Sequence, residues 1–273
     1  MDRYAVIGNP VAHSKSPLIH EAFAQATGQL MSYERLLAPL DGFVATVERF
    51  AAEGGRGLNV TVPFKLEAYA LAAQKSSRAE EAQACNTLAW RDDHWYADNT
   101  DGIGLMRDLT HNLNEVLAGR DVLVLGAGGA ARGILGPLLA QAPRSVVVLN
   151  RTERRAAELA ASFAQHGPVA AMSSAQLNGR RFHVVINATS IGINGDVPEN
   201  LWPRRPFASG SLAYDLVYAD VSTPFLRWAS QQSAERMVDG LGMLIEQAAE
   251  SFVLWRGVRP QTSPVFAMLR PGR

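Results

Sequence analysis

Short β-branched apolar runs alternate with stretches whose apolar positions recur at helical spacing along almost the whole chain, the pattern of an α/β protein rather than of segregated strands and helices. Residues 4–8, 31–37 and 58–62 read as strands. Between them, 17–27 reads as a helix with Ser16 as N-cap, Pro17 at the first helical position and Gly28 as its stop. A second helix over 41–53 ends at Gly54-Gly55. Two further runs, 84–90 and 94–97, flank the polar Arg91-Asp92-Asp93, which predicts a hairpin and therefore a mixed first sheet. After a polar stretch over 110–119, the strand 121–125 runs into a glycine-rich turn and a helix. Strand patterns at 145–149, 184–187 and 212–216, separated by segments of crossover length, give a doubly wound arrangement. Past Asp239-Gly240, the apolar residues Leu241, Leu244, Ile245, Ala248, Phe252 and Trp255 mark an amphipathic helix of about four turns.

With 273 residues the chain is long enough for two domains, and the change of pattern puts a boundary near residue 102. Apolar residues at 47% and charged residues at 19% exclude a disordered or fibrous chain. Lys+Arg and Asp+Glu are both 26, so no global field recruits nucleic acid or an anionic membrane, and small-molecule partners are expected. Cys85 is the only cysteine, which excludes an intramolecular disulfide and a thiolate-rich metal site. The six histidines form no H-x-x-x-H cluster, so no metal is expected. Neither a signal-peptide pattern nor a run of about 18 apolar residues occurs, and a soluble, cytoplasmic protein is expected.

Gly126-Ala127-Gly128-Gly129-Ala130-Ala131 fits G-x-G-x-x-A directly after a strand and before a helix. Gly126 permits the tight turn, Gly128 lets a pyrophosphate approach the backbone, and Ala131 allows close helix–strand packing. A bound anion would then meet the unpaired N–H groups of a helix start. The end of the next strand reads Asn150-Arg151-Thr152, followed by Arg154 and Arg155, where an acidic residue would be expected for NAD. Guanidiniums attract a 2′-phosphate that a carboxylate would repel, so NADP is the expected cofactor. The alternative is a solvated helix face on which Glu153 and Glu158 pair with these arginines.

In the first half, Leu58-Asn59-Val60-Thr61-Val62-Pro63-Phe64-Lys65 joins a strand to an abrupt helix start. Period-2 alternation sends Asn59 and Thr61 to one face. Lys65 falls near a helix N-terminus, where the helix dipole opposes an ammonium, and Asp101 in Asp98-Asn99-Thr100-Asp101-Gly102 is the candidate compensating carboxylate. Asp101 could equally cap the following helix. Further polar clusters sit at strand ends: Asn86-Thr87, Asn187-Ala188-Thr189-Ser190 and Asp215-Leu216-Val217-Tyr218. His13-Ser14-Lys15-Ser16-Pro17 brings two hydroxyls to a helix start, a grip for a carboxylate, and Gln247 flanks the apolar stripe of the last helix.

Taken together with Gly8-Asn9-Pro10 and Asp239-Gly240-Leu241-Gly242-Met243-Leu244, these motifs resemble, in order and spacing over nearly the whole chain, the shikimate dehydrogenase family. The resemblance implies an NADP-dependent oxidoreductase that reversibly reduces 3-dehydroshikimate to shikimate in aromatic amino-acid biosynthesis. It implies a discontinuous substrate domain, 1–102 with 241–273, of mixed-sheet α/β type, facing a Rossmann-like NADP domain, 103–240, across a cleft. Lys65 and Asp101 would be the catalytic pair. Ser14, Ser16 and Thr61 would hold the substrate carboxylate with Tyr218 near it, while Asn59, Asn86, Asp101 and Gln247 would contact the ring hydroxyls. Gly126, Ala127, Gly128, Gly129 and Ala130 would line the pyrophosphate, Asn150, Arg151, Thr152 and Arg155 the adenosine phosphate, and Thr189 and Gly240 would complete the cofactor site. A monomer or homodimer is expected. The family commonly has Gly-Ala-Val before its Asn-Thr, whereas this chain has Gln83-Ala84-Cys85, with Cys85 read as a small buried residue. A quinate or quinate/shikimate dehydrogenase is the alternative among enzymes. A non-catalytic NADP-binding regulatory protein is the alternative outside them.

Overall fold

The computed structural model describes residues 1–189, 191 and 202–270, so Ser190 of the Asn187-Ala188-Thr189-Ser190 motif lies outside the described residues. The chain divides into two compact units, Met1–Leu105 with Leu244–Arg273, and Met106–Met243. Among the described residues no helix is long and apolar enough to cross a membrane.

The first unit is built from β1 (Asp2–Gly8), α1 (Ser16–Thr27), β2 (Met31–Leu37), α2 (Phe43–Ala52), β3 (Gly55–Val60), α3 (Lys65–Leu71), β4 (Gln74–Lys75), α4 (Ser77–Ala82), β5 (Thr87–Arg91) and β6 (His94–Asp98). Its sheet has the order β2-β1-β3-β5-β6-β4 and is mixed, as expected: β3 with β5 and β5 with β6 are antiparallel, and the other pairs are parallel. The fully buried Phe43, Phe64, Leu58, Leu88 and Ile7 form the core on one face, each worth about 1.5–3 kcal/mol of transfer free energy. Cys85 belongs to the same cluster, fully buried, and burial pushes its thiol up to about 12. Cys85 thus fills core space, as read from the sequence.

Two local expectations are corrected. The helix start at residue 15 has Lys15 as N-cap with no side-chain cap bond, and Ser16 is the first helical residue, so Ser16 does not cap. Instead the Ser16 N–H donates to Ser14 Oγ at 3.3 Å, which leaves Ser14 to satisfy the helix start. The strand expected over 58–62 is Gly55–Val60; Thr61 donates its N–H to Ile7 O and the chain then turns through a cis Val62–Pro63 peptide, so a loop rather than strand alternation places Thr61. Gly28 does end α1, in the left-handed conformation that a Cβ disfavours.

The second unit follows α5 (Asp101–Arg107) and a π-helical turn (Asp108–Asn112), and contains β7 (Asp121–Leu125), α6 (Gly129–Leu139), β8 (Ser145–Leu149), α7 (Glu153–Phe163), β9 (Val169–Ala171), β10 (Phe182–Asn187), β11 (Phe207–Asp215), α8 (Pro224–Gln231) and β12 (Arg236–Val238). All five strand pairs of its sheet, β12-β11-β10-β7-β8-β9, are parallel. The order reverses between β7 and β10, the switch point beyond whose strand ends an open α/β sheet receives a ligand. α9 (Leu241–Arg256) and α10 (Ser263–Leu269) complete the chain.

Candidate functional site

In the first unit the structure brings Lys65, Asp101, Asn86 and Gln247 into one hydrogen-bonded group. Lys65, the first residue of α3, reaches Asp101 Oδ2 at 2.5 Å, and Asp101, the first residue of α5, takes Asn86 Nδ2 on its other oxygen at 2.8 Å. The side chains of the pair are 15% and 6% exposed, so the lysine is partly open while the carboxylate is covered. Asn86 donates further to Thr100 Oγ1 (2.9 Å) and Gln247 Oε1 (3.1 Å), and its Oδ1 accepts from the Thr100 N–H (2.8 Å). These bonds on both sides of the Asn86 amide fix it against rotation.

The turn before Asp101 is held from below. Asp98 Oδ1 accepts from Ser76 Oγ (2.6 Å), Arg78 Nε (3.0 Å) and the Asn99 N–H (2.7 Å), and Arg78 also pairs with Asp98 Oδ2. The Asp101 N–H donates to Asn99 Oδ1 at 3.1 Å, so Asn99, not Asp101, satisfies the start of α5 and the Asp101 carboxylate is left for Lys65.

Asn59 sits deeper. Its Oδ1 accepts from Tyr33 Oη at 2.7 Å and lies 3.1 Å from His20 Nε2, while Nδ2 donates to Ser251 Oγ at 2.8 Å and Thr87 Oγ1 at 3.3 Å. Asn59 therefore organises the floor of the site with its own bonding capacity spent on protein. His20, Tyr33 and Ser251 are members that sequence reasoning missed. The available signals were helical spacing: His20 lies four residues after Ser16 on α1, and Ser251 four after Gln247 on α9, each a polar residue inside a buried stripe.

Because Asn59 Oδ1 can only accept, the His20 ring presents Nε2–H to it, and Nδ1 is buried without a partner. Burial pushes this imidazole down to about 3, with the Asn59 bond pulling the other way. Since unfolded His20 gains a proton below about 6.5 and folded His20 does not until about 3, its contribution to stability is present above 6.5 and is lost at about 1.4 kcal/mol per pH unit as pH falls. Urea unfolding of His20→Gln should accordingly lose stability less steeply between pH 6.5 and 5 than the native chain; equal slopes would contradict the buried neutral ring.

Ser14 and Ser16 are both buried, with their hydroxyls 3.1 Å apart, and Arg35 clamps the loop by donating Nε and Nη2 to Ser14 O at 3.0 and 2.6 Å. Thr61 is half-buried beside Gly8, and His13 is exposed. Tyr218 belongs to the second unit, half-buried just after β11.

The second unit presents the glycine loop at its switch point. Gly126 has φ +111°, and its N–H donates to Leu149 O at 2.7 Å. A Cβ there would meet Ala188 O at 3.0 Å, so both torsion and space require glycine. Gly128 is different: its torsions are ordinary, and an added Cβ would meet no atom within 4 Å. Packing does not demand glycine there, whereas close approach of a bound diphosphate would. Ala127, Gly129 and Ala130 are half-buried around it, and Ala131 is fully buried against the sheet. Past β8, Asn150 donates Nδ2 to Thr152 O at 3.0 Å and shapes the turn into α7. Arg154 pairs with Glu158 at 3.4 Å, as the solvated-face alternative foresaw, but Arg151 and Arg155 are exposed and have no carboxylate partner among the described residues. These two guanidiniums remain available to an anion. Thr189 follows β10, and Gly240 packs so tightly on the Leu216 and Asp215 carbonyls that no Cβ fits.

Three family models match the chain: the shikimate dehydrogenase substrate binding domain over residues 6–88, shikimate / quinate 5-dehydrogenase over 108–194, and the shikimate 5′-dehydrogenase C-terminal domain over 240–265. The chain is 55% identical over 269 residues to the shikimate dehydrogenase (NADP(+)) of Nitrosospira multiformis, covering 98% of this chain and 97% of that one. Among solved structures it is similar to an Ael1 enzyme from Pseudomonas putida (TM-score 0.87, 46% identity, 98% of each chain covered). It is also similar to shikimate 5-dehydrogenase from Thermus thermophilus in complex with NADP(H) and shikimate (TM-score 0.82, 33% identity, 96% of each chain covered).

Proposed function

The chain belongs to the shikimate dehydrogenase family, and from that premise we propose that Lys65 and Asp101 carry the reversible reduction of 3-dehydroshikimate to shikimate by NADPH. The observation that carries the assignment of the pair is the 2.5 Å contact between a partly exposed lysine and a covered carboxylate that Asn86 holds in place. NADPH, when bound, supplies the hydride. Reducing a carbonyl leaves an alkoxide that needs a proton and a neighbouring positive charge, and Lys65 Nζ offers both. Asp101 keeps Nζ aimed, accepting its hydrogen bond in one direction of the reaction and stabilising its return to the ammonium in the other. Asn86 and Gln247, cross-linked at 3.1 Å, would orient the ring hydroxyls; Ser14, Ser16 and Thr61 would hold the ring carboxylate. Asn59 would act from behind, by fixing Ser251 and Thr87.

Gly126–Ala130 would cradle the diphosphate, and Arg151 and Arg155, with Asn150 and Thr152, the adenosine phosphate. Replacing both arginines with alanine is expected to raise the KM for NADP by about 10–100-fold, since two solvent-screened charge-assisted contacts together contribute roughly 1.5–3 kcal/mol, while the KM for shikimate stays put. An unchanged KM for NADP would remove the arginines from the phosphate site. A single, buried Cys85 fits a reducing cytoplasm, and the protein would work there as a monomer or homodimer.

The deciding assay follows nicotinamide absorbance with shikimate or quinate against NADP or NAD. Turnover with shikimate and NADP is expected to exceed the other three pairings; no turnover with any would overturn the activity.

A further inference from the structure

A buried polar chain joins the ends of β10 and β11 in the second unit, and the reaction chemistry does not use it. Asp215, the last residue of β11, is 1% exposed and has no cationic partner among the described residues. Its Oδ1 accepts from Asn187 Nδ2 at 2.8 Å and from the Val217 N–H at 3.1 Å, and its Oδ2 accepts from Thr223 Oγ1 at 2.6 Å. Thr223 is the N-cap of α8, its Oγ1 taking the Leu226 N–H at 3.2 Å. On the other side, Asn187 Oδ1 accepts both the Thr189 N–H (3.2 Å) and Thr189 Oγ1 (2.7 Å). Thr189 Cγ2 lies 3.1 Å from where a Gly126 side chain would begin, so the chain ends against the glycine loop.

Burial pushes the Asp215 carboxyl up to about 6, against the pull of its three hydrogen-bond donors. A buried carboxylate answered only by neutral donors opposes folding, so stability alone would favour another residue at this position. Its effect is orientational. Asp215 Oδ1 can only accept, which turns the Asn187 amide nitrogen toward it and the Asn187 oxygen toward Thr189. Thr189 is thereby held, backbone and hydroxyl together, beside Gly126 before any ligand arrives.

We propose that Asp215 is a positioning residue for the cofactor, acting through Asn187 to set Thr189 against the dinucleotide loop. The inference rests on the reading that Thr189 and residues 126–130 meet NADP. Its mark is a loss of NADP affinity with shikimate handling intact, because nothing in the chain Thr223–Asp215–Asn187–Thr189 belongs to the first unit.

The test measures NADP dissociation by fluorescence titration, and KM and kcat for both substrates, in Asp215→Ala, Asp215→Asn, Thr189→Val and the double variant Asp215→Ala/Thr189→Val. Asp215→Ala and Thr189→Val should each weaken NADP by about five- to tenfold, the worth of one oriented hydrogen bond, with the KM for shikimate unchanged. Asp215→Asn keeps an acceptor for Asn187 and Val217 and should restore affinity to within about twofold, and the double variant should be no weaker than Thr189→Val alone. Unchanged NADP affinity in Asp215→Ala, or additive losses in the double variant, overturns the relay. Unchanged affinity in Thr189→Val overturns both the relay and the reading beneath it. Should Asp215→Ala not fold, Asn187→Ala takes its place in the same cycle, with the same two outcomes.

Discussion

Replacing Lys65 with alanine is expected to lower kcat by about 10²–10⁴-fold, the span of general acid–base catalysis, while shikimate and NADP dissociation constants stay within a few-fold of the native chain. Lys65 carries a proton that it can give up, on a side chain 15% exposed, whereas the ring of hydroxyls and amides around it persists without it. Asp101→Asn should lower kcat through the same contact, because the amide removes the charge that aims Nζ. The two residues act as a unit, so the double variant should be about as impaired as the worse single one, not the product of both. Fluorescence titration of each ligand with single-turnover rates separates the effects. A Lys65→Ala enzyme with near-native kcat would take Lys65 out of the chemistry, and a large loss of shikimate binding would make it a binding residue instead.

Gly104→Ala is expected to have the second-largest effect, although the residue touches no reacting atom. A Cβ at Gly104 on α5 would lie 2.6 Å from Gln247 Cβ, 2.7 Å from Gln247 N and 2.9 Å from Gln247 Cα on α9. Backbone cannot swing aside as a side-chain end does, so the two helices must separate, at a cost of about 1–3 kcal/mol. Separation moves Gln247, whose Oε1 receives Asn86 at 3.1 Å and Thr100 at 3.3 Å, away from the group that holds Asp101. Misplacement on the order of 1 Å costs up to about 10²-fold in rate, and kcat/KM for shikimate should fall by about 10–100-fold with NADP affinity unchanged. Urea unfolding and steady-state kinetics measure both halves. Native stability together with native kcat/KM would mean that the close approach of α5 and α9 does not position Gln247.

These two residues show how differently the site was written into the chain. Lys65 and Asp101 stood out by local context: a strand breaking into a helix, and a polar run before another helix. So did the glycine loop, since Gly126 follows a strand, precedes a helix and takes a φ of +111° that glycine favours, and so did the hairpin of β5 and β6 around Asp92 and Asp93. Sequence by itself therefore determined the α/β class, the mixed first sheet, the doubly wound second one and the family.

Only the tertiary structure decided which polar groups meet. Asn59 finds Ser251 across 192 residues, Asn86 finds Gln247 across 161, and Asn187 finds Asp215 across 28; no periodicity records such pairs, because each depends on how two elements dock and on a hydrogen bond directed within a few tenths of an ångström. Local patterns also mislead where a distant partner intervenes. Ser16 has the composition of a cap but enters the helix because Ser14, clamped by Arg35 from β2, takes that role. Strand alternation would carry β3 through Thr61, but pairing with β5 ends at Asn59 and the chain turns away toward Lys65. Torsion and burial are paid out residue by residue and so are legible in order, whereas hydrogen-bond partners are chosen only after the elements have packed.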